Sequence, residues 1–515
     1  MLKPITNMPQ VERQRTIWHL LAMLLLVLGN AWLQCAQGDL IEENNGLGSD
    51  GWWYCQFARE LPKWLNSSDP AHQIPYERLQ RILPSAAVWA AFQALDITEP
   101  SDAQIVKAFR WLNALSLAVS VLLWQLVGNR LDLQWPGRWF GFLAIFASCG
   151  FAKWLWYYPV LTDVATLPLA MLLLLAFLRR SLVFMAIVTI PGSFVCSTLS
   201  FWSMPLFLCL TAVRPRPAGA AEQWKVNLIT AVCVMIGVAA IIQIQFFTEF
   251  PRVTYKLKTQ MQLLPLSILA AAAYLWFAGR PLVAWKPFVR PRLLARAFFT
   301  PGMAVWIGVT LSIKAISEMI MPGSSSQSTQ STLGLVFGDQ FSIFGRGTVL
   351  PLWFMVAHVL YFGPVVLVCV LRWKELCRRF GEQGLAMLLF TGMIVVLGLD
   401  SESRHLYVGL PFLVAFAAKE IEELRPRRIF WWSFAALTLA FSASWLAIRH
   451  LWCVWTGQSP QLDDEYYSHF CGPFSVYDVY GEHAAYALLA LGLLYLCLRP
   501  SPDSSAAERK PEPGC

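Results

Sequence analysis

Charge is scarce in this chain: of 515 residues only 14% are Asp, Glu, Lys or Arg, and histidine occurs 7 times. Soluble domains carry about 25% charged residues, so an ordinary soluble fold is excluded. No internal repeat is evident, which argues against a transporter built from inverted repeats. A prenylation box is lacking, because Cys515 is the last residue rather than the fourth from the end. The net charge of +8 does not mark a nucleic-acid partner, since the basic residues fall in short clusters between apolar runs. Many of the 12 cysteines, Cys149, Cys196, Cys209, Cys233, Cys369 and Cys497 among them, lie inside apolar runs as small hydrophobes and imply no metal site.

What is present is apolar length. Hydrophobic residues make up 57% of the chain, with 24 Trp and 33 Phe, and runs long enough for a membrane helix recur from end to end. A helix of about 20 residues crosses a hydrocarbon core of about 30 Å, so the expectation is an all-α, polytopic transmembrane helix bundle of about 12–14 spans. The first run, "IWHLLAMLLLVLGNAWLQC", follows Arg13 and Arg15. It is longer than a signal-peptide core and reads as an uncleaved anchor, although "AQG" at 36–38 resembles a cleavage site.

Reading the Lys and Arg clusters as cytoplasmic places crossings near 17–36, 105–128, 139–158, 163–179, 182–197, 199–213, 226–247, 263–279, 298–320, 348–371, 384–399, 405–419, 429–449 and 483–498. Both termini are then cytoplasmic. The apolar segment 82–95 is too short for a crossing and is expected to be interfacial or re-entrant. Acidic and aromatic residues collect on the outer side. Three units result: a module 1–420 with a first outer loop 37–104 carrying interfacial helices, C-terminal helices 421–498 with an outer loop 450–482, and a tail 499–515. Cys453 and Cys471 share that last loop and can form a disulfide if its compartment is oxidising. Lys314 and Glu318 stand at i, i+4, the spacing of a structural ion pair.

Four outer elements carry candidate chemistry. In "SDGWWYCQFARE", Asp50 precedes aromatics suited to the headgroup level, which would hold its carboxylate at the membrane surface. In "PYERLQRILPSAAVW", Arg78 and Arg81 at i, i+3 would share a helical face and clamp a phosphate, or else anchor a helix end. In "YYPVLTD", Tyr157, Tyr158 and Asp163 occupy a short turn, where Asp163 serves equally well as a helix N-cap. In "DSESRH", Asp400, Glu402, Arg404 and His405 crowd one span end, to contact phosphate or sugar or simply to pair with each other. Lys256, Lys258 and Arg346 are outer cations that can help neutralise a leaving phosphate.

The order of these elements over residues 15–420 resembles the GT-C superfamily of polytopic glycosyltransferases, in its bacterial mannosyltransferase and aminoarabinose-transferase branches. The resemblance implies a sugar carried on a polyprenyl phosphate and its transfer, often with inversion, on the extracytoplasmic face of the cytoplasmic membrane. It makes Asp50 the base, Arg78 or Arg81 the holder of the donor phosphate, Asp163 a second acid and Arg404 a phosphate or sugar contact. The acceptor, whether glycan, lipid or protein, is left open, as is dependence on a divalent cation, the one candidate cofactor. The competing class is a transporter or flippase for a lipid-linked sugar or other amphiphile. It would require a polar path through the bilayer, with ionisable residues near span centres or helices broken by Gly or Pro.

Overall fold

In an apolar solvent every backbone N–H and C=O must be paired within the chain, and a helix achieves this inside one segment. The computed structural model describes residues 10–37, 40–41, 43–66, 74, 76–210, 215–247, 257–320, 348, 350–443 and 480–498, and most of these are helical with no strand among them. In chain order the main helices are α1 (Gln10–Gln37), α2 (Gly48–Asn66), α3 (Ile82–Ala94), α4 (Asp102–Arg130), α5 (Trp135–Phe146), α6 (Thr166–Leu178), α7 (Leu182–Gly192) and α8 (Leu199–Cys209). There follow α9 (Gln223–Phe247), α10 (Leu257–Val283), α11 (Pro291–Phe298), α12 (Pro301–Ile320), α13 (Trp353–Phe362) and α14 (Val365–Leu371). The last are α15 (Trp373–Gln383), α16 (Leu385–Leu397), α17 (Leu410–Leu424), α18 (Arg428–Phe441) and α19 (Tyr480–Cys497).

Among the described residues, five helical segments are long and apolar enough to cross a membrane: 14–36, 102–130, 220–243, 263–283 and 301–320. The chain is therefore a helical membrane protein. The expectation of 12–14 full crossings is met only by these five, or six if one bent pair is counted. Several expected crossings are shorter helices, such as α7, α8 and α16, each of 11 to 13 residues. At 1.5 Å per residue even 13 residues rise only about 20 Å, short of a core of about 30 Å. Local chemistry explains one break and packing another. Gly363, at φ +79°, and Pro364 split the expected 348–371 crossing into α13 and α14. The expected 139–158 crossing bends by 56° between α5 and Gly150–Tyr157, where residues Gly150–Trp154 form a π-helical turn.

The longest described helix, α4, shows how the sequence sets its ends. Ser101 accepts from the Gln104 amide while the Gln104 side chain accepts from the Ser101 amide at 2.8 Å, a capping box. Arg130 in the last turn complements the negative end of the helix dipole.

Among the described residues two large apolar cores result, with two small satellite clusters. The larger lies within the bundle, and the smaller belongs to the first loop, where Tyr54, Phe57 and Trp64 of α2 pack with Val88 and Phe92 of α3, Phe109 of α4, and Tyr158 and Val160. The 82–95 segment is thus a helix docked on α2. Tyr54 does not serve as a membrane-facing aromatic, because it is fully buried in this small core while Trp52 stays exposed. An Arg59–Asp102 ion pair ties α2 to the start of α4. Near the end of α17, Glu420 bridges Arg372, at 2.6 Å, and Arg379 of α15, at 2.5 Å. Lys314 and Glu318 pair at 3.8 Å, as their spacing predicts.

Candidate functional site

The turn 157–163 is the hub. The Asn113 side chain of α4 donates to the carbonyl of Pro159 at 2.9 Å, and the Ile41 amide donates to the carbonyl of Tyr157 at 3.0 Å. Tyr158 seats the start of α2, its hydroxyl accepting from the Gly51 amide at 3.1 Å. Gly48 has φ +66°, and a Cβ there would fall 2.3 Å from Tyr158 Cζ. Glycine is required at that position both for its backbone and for this contact. Asp50 lies between these two glycines in the first turn of α2, so its backbone is held against Tyr158; its side chain lies outside the described residues.

Asp163 opens the next helical turn but does not cap it, since neither that turn nor α6 has a side-chain cap. Its carboxylate instead faces two guanidinium groups, Arg81 at 3.7 Å and Arg404 at 3.5 Å. Both separations exceed the roughly 2.7–3.2 Å of a well-formed N–H···O bond, so the pairs are loose. Arg404 also contacts Glu402, and His405 Nδ1 lies 2.6 Å from Asp400 Oδ2. The paired reading of Glu402 and Arg404 is realised, within a network that reaches Arg81 and Asp163. Burial opposes charge on His405, but Glu402 and Asp400 outweigh it and hold the imidazole above its ordinary value. Burial also pushes the Asp400 carboxyl up, against the pull of His405.

Arg78 and Arg81 do not share a helical face. The helical turn ends at Leu79, and Arg81 stands at the start of α3 with φ −132°. Arg78 donates to the Tyr54 hydroxyl at 3.3 Å, whereas Arg81 reaches Asp163. Lys256, Arg346, Cys453 and Cys471 lie outside the described residues, as does the side chain of Lys258.

Sequence reading passed over two buried groups. His358 of α13 places Nε2 at 3.0 Å from the Gly398 carbonyl and Nδ1 at 2.8 Å from Ser403 Oγ. A carbonyl only accepts, so Nε2 carries the proton, and in the neutral ring Nδ1 accepts from Ser403. Lys153, in the π-helical turn, is 1% exposed. A single ionisable residue within an apolar run was the available signal. Tyr361 and Tyr407 place their hydroxyls 2.5 Å apart, and Phe151 stacks on Tyr407. The Thr162 hydroxyl beside Asp163 is buried without a partner among the described residues.

An apolar cavity of about 520 Å³ begins at His358 and Gly398 and continues past Leu406, Tyr274, Phe277 and Val395. Charge network and cavity thus meet at one segment, 398–406. Among the described residues no group of three His, Cys, Asp or Glu is arranged to hold a metal ion. Comparison with protein-family models, with curated proteins and with solved structures finds no match.

Proposed function

We propose that this chain is a membrane glycosyltransferase that moves a sugar from a polyprenyl-phosphate donor to an acceptor at the membrane surface, on the extracytoplasmic side. The observation that carries this reading is the loosely paired Arg81–Asp163–Arg404 cluster, whose Arg404 belongs to the same segment, 398–406, that lines an apolar cavity through Gly398 and Leu406. A phosphate oxygen can insert between the two guanidinium groups, which favour forked contacts to phosphate, and the cavity offers room for the first part of a polyprenyl chain. In the transfer step the acceptor hydroxyl oxygen bonds to the anomeric carbon and its proton passes to Asp50. The bond from that carbon to the phosphate oxygen breaks, and polyprenyl phosphate leaves with the electron pair, stabilised by Arg81 and Arg404. Such a base contributes about 10²–10⁴-fold and such an anion clamp about 10²–10³-fold.

The test is transfer of radiolabelled sugar from a panel of polyprenyl-phosphate sugars in membranes holding wild type, Asp50→Asn or Arg81→Gln at matched expression. Transfer by wild type that drops at least 100-fold in both variants is expected. Absence of transfer with every donor, together with wild-type-dependent movement of the donor between leaflets, would establish transport instead.

A further inference from the structure

Away from this site, two connectors form a basic platform. Segments 215–225 and 280–299 carry Arg216, Lys225, Arg280, Lys286, Arg290, Arg292 and Arg296 against a single acid, Glu222. Backbone bonds join them: Ala218 donates to the Ala284 carbonyl and Lys286 to the Arg216 carbonyl, each at 2.9 Å. Glu222 is already held by Arg290 at 2.8 Å. The other six cations have no acid within ion-pair distance among the described residues.

Two further observations locate the platform. The candidate spans 220–243, 263–283 and 301–320 all begin or end on it, so it lies at the level of the lipid headgroups. Its amphipathic helix α11 turns Leu294 and Phe298 to the bundle core and leaves Arg292, Arg296 and Leu293 exposed. Phe299 and Trp224 are exposed beside them at 81% and 62%, with the Lys225 ammonium 5.6 Å above the Trp224 ring. Cations interleaved with exposed aromatic and aliphatic side chains suit a bilayer interface, where phosphates meet acyl chains. An acidic soluble partner would give no role to the exposed Leu293 and Phe299.

We propose that this platform is a docking site for anionic phospholipid headgroups of the leaflet it faces, with Arg292 and Arg296 as contact residues. It is independent of the proposed reaction. A juxtamembrane Lys or Arg strengthens anionic-lipid binding by about fivefold, so removing two charges should weaken it about 25-fold. The experiment counts lipids retained by the purified full chain in native mass spectrometry after titration with phosphatidylglycerol or phosphatidylcholine. Wild type is expected to retain phosphatidylglycerol in preference to phosphatidylcholine, and Arg292→Gln/Arg296→Gln to lose that preference. The matched control is Arg378→Gln, at an exposed arginine paired with Glu382 elsewhere, and it should retain the preference. Arg292→Lys/Arg296→Lys, which keeps the charge, should also retain it and so separates lipid binding from folding. Equal retention of the two lipids by wild type, an unchanged preference in the Gln variant, or an equal loss in the Arg378 control would each overturn the proposal.

Discussion

Replacing Gly48 by Ala tests whether the first-loop helix is seated on the 157–163 turn. Two separate costs are expected. The positive φ of 66° disfavours a Cβ by about 1–2 kcal/mol. The new methyl would also stand 2.3 Å from Tyr158 Cζ, 2.4 Å from its hydroxyl oxygen and 2.7 Å from Cε2. Overpacking of that kind costs about 1–3 kcal/mol. The single variant should therefore lose about 2–5 kcal/mol, the sum of the two ranges. In a Tyr158→Ala background the clash disappears and only the backbone cost of about 1–2 kcal/mol remains. Tryptophan fluorescence during SDS titration of the purified protein in mild detergent supplies the four midpoints of this cycle, and coupling of about 1–3 kcal/mol is predicted. An identical loss in both backgrounds would refute the contact between Gly48 and Tyr158.

Further consequences follow from the charge network. Asp163→Asn leaves Arg81 without a carboxylate among the described residues; with both side chains about one-fifth exposed, the loss should fall near 1–3 kcal/mol, between surface and buried limits. The double variant Arg81→Gln/Asp163→Asn should recover part of it in the same titration, and strict additivity would contradict the pairing. His405, raised by Glu402 and Asp400, contributes stability that is fully present below its unfolded value of about 6.5 and lost as pH rises through the higher native value. Stability should accordingly fall from pH 6.5 upward and flatten in His405→Gln; an unaltered slope in that variant would remove His405 as its source. Glu420→Gln strips the common partner from Arg372 and Arg379 but leaves them Glu375 and Glu423, so a loss of about 1–3 kcal/mol is expected, between the surface and buried limits, and an unchanged unfolding midpoint would exclude it.

Helix positions were legible because apolar run length is read directly from the residues: the 105–128 expectation falls within α4, and the 263–279 expectation within α10. Breaks were less legible, since the bend at Gly150–Trp154 depends on tertiary packing, in which Gly150 leaves room for Tyr361. At the site, Arg81, Asp163, Glu402, Arg404 and His405 were all singled out from the sequence as charges near expected helix ends. Their mutual arrangement was hidden, because Asp163 and Arg404 are 241 residues apart. The Arg78–Arg81 expectation failed where α-helical periodicity was extended across a turn that the chain interrupts. His358 escaped notice because its hydroxyl partner, Ser403, lies 45 positions away in a separate loop.

If Arg81 and Arg404 form a phosphate site, ligand binding shows it without knowledge of the sugar. The measurement is scintillation-proximity binding of a radiolabelled short-chain polyprenyl phosphate, and of the corresponding polyprenol, to purified wild type and to Arg81→Gln/Arg404→Gln. Wild type should bind the phosphate at least tenfold more tightly than the alcohol, and the variant should bind both alike. Equal binding of phosphate and alcohol by wild type, or a phosphate preference intact in the variant, would contradict the account.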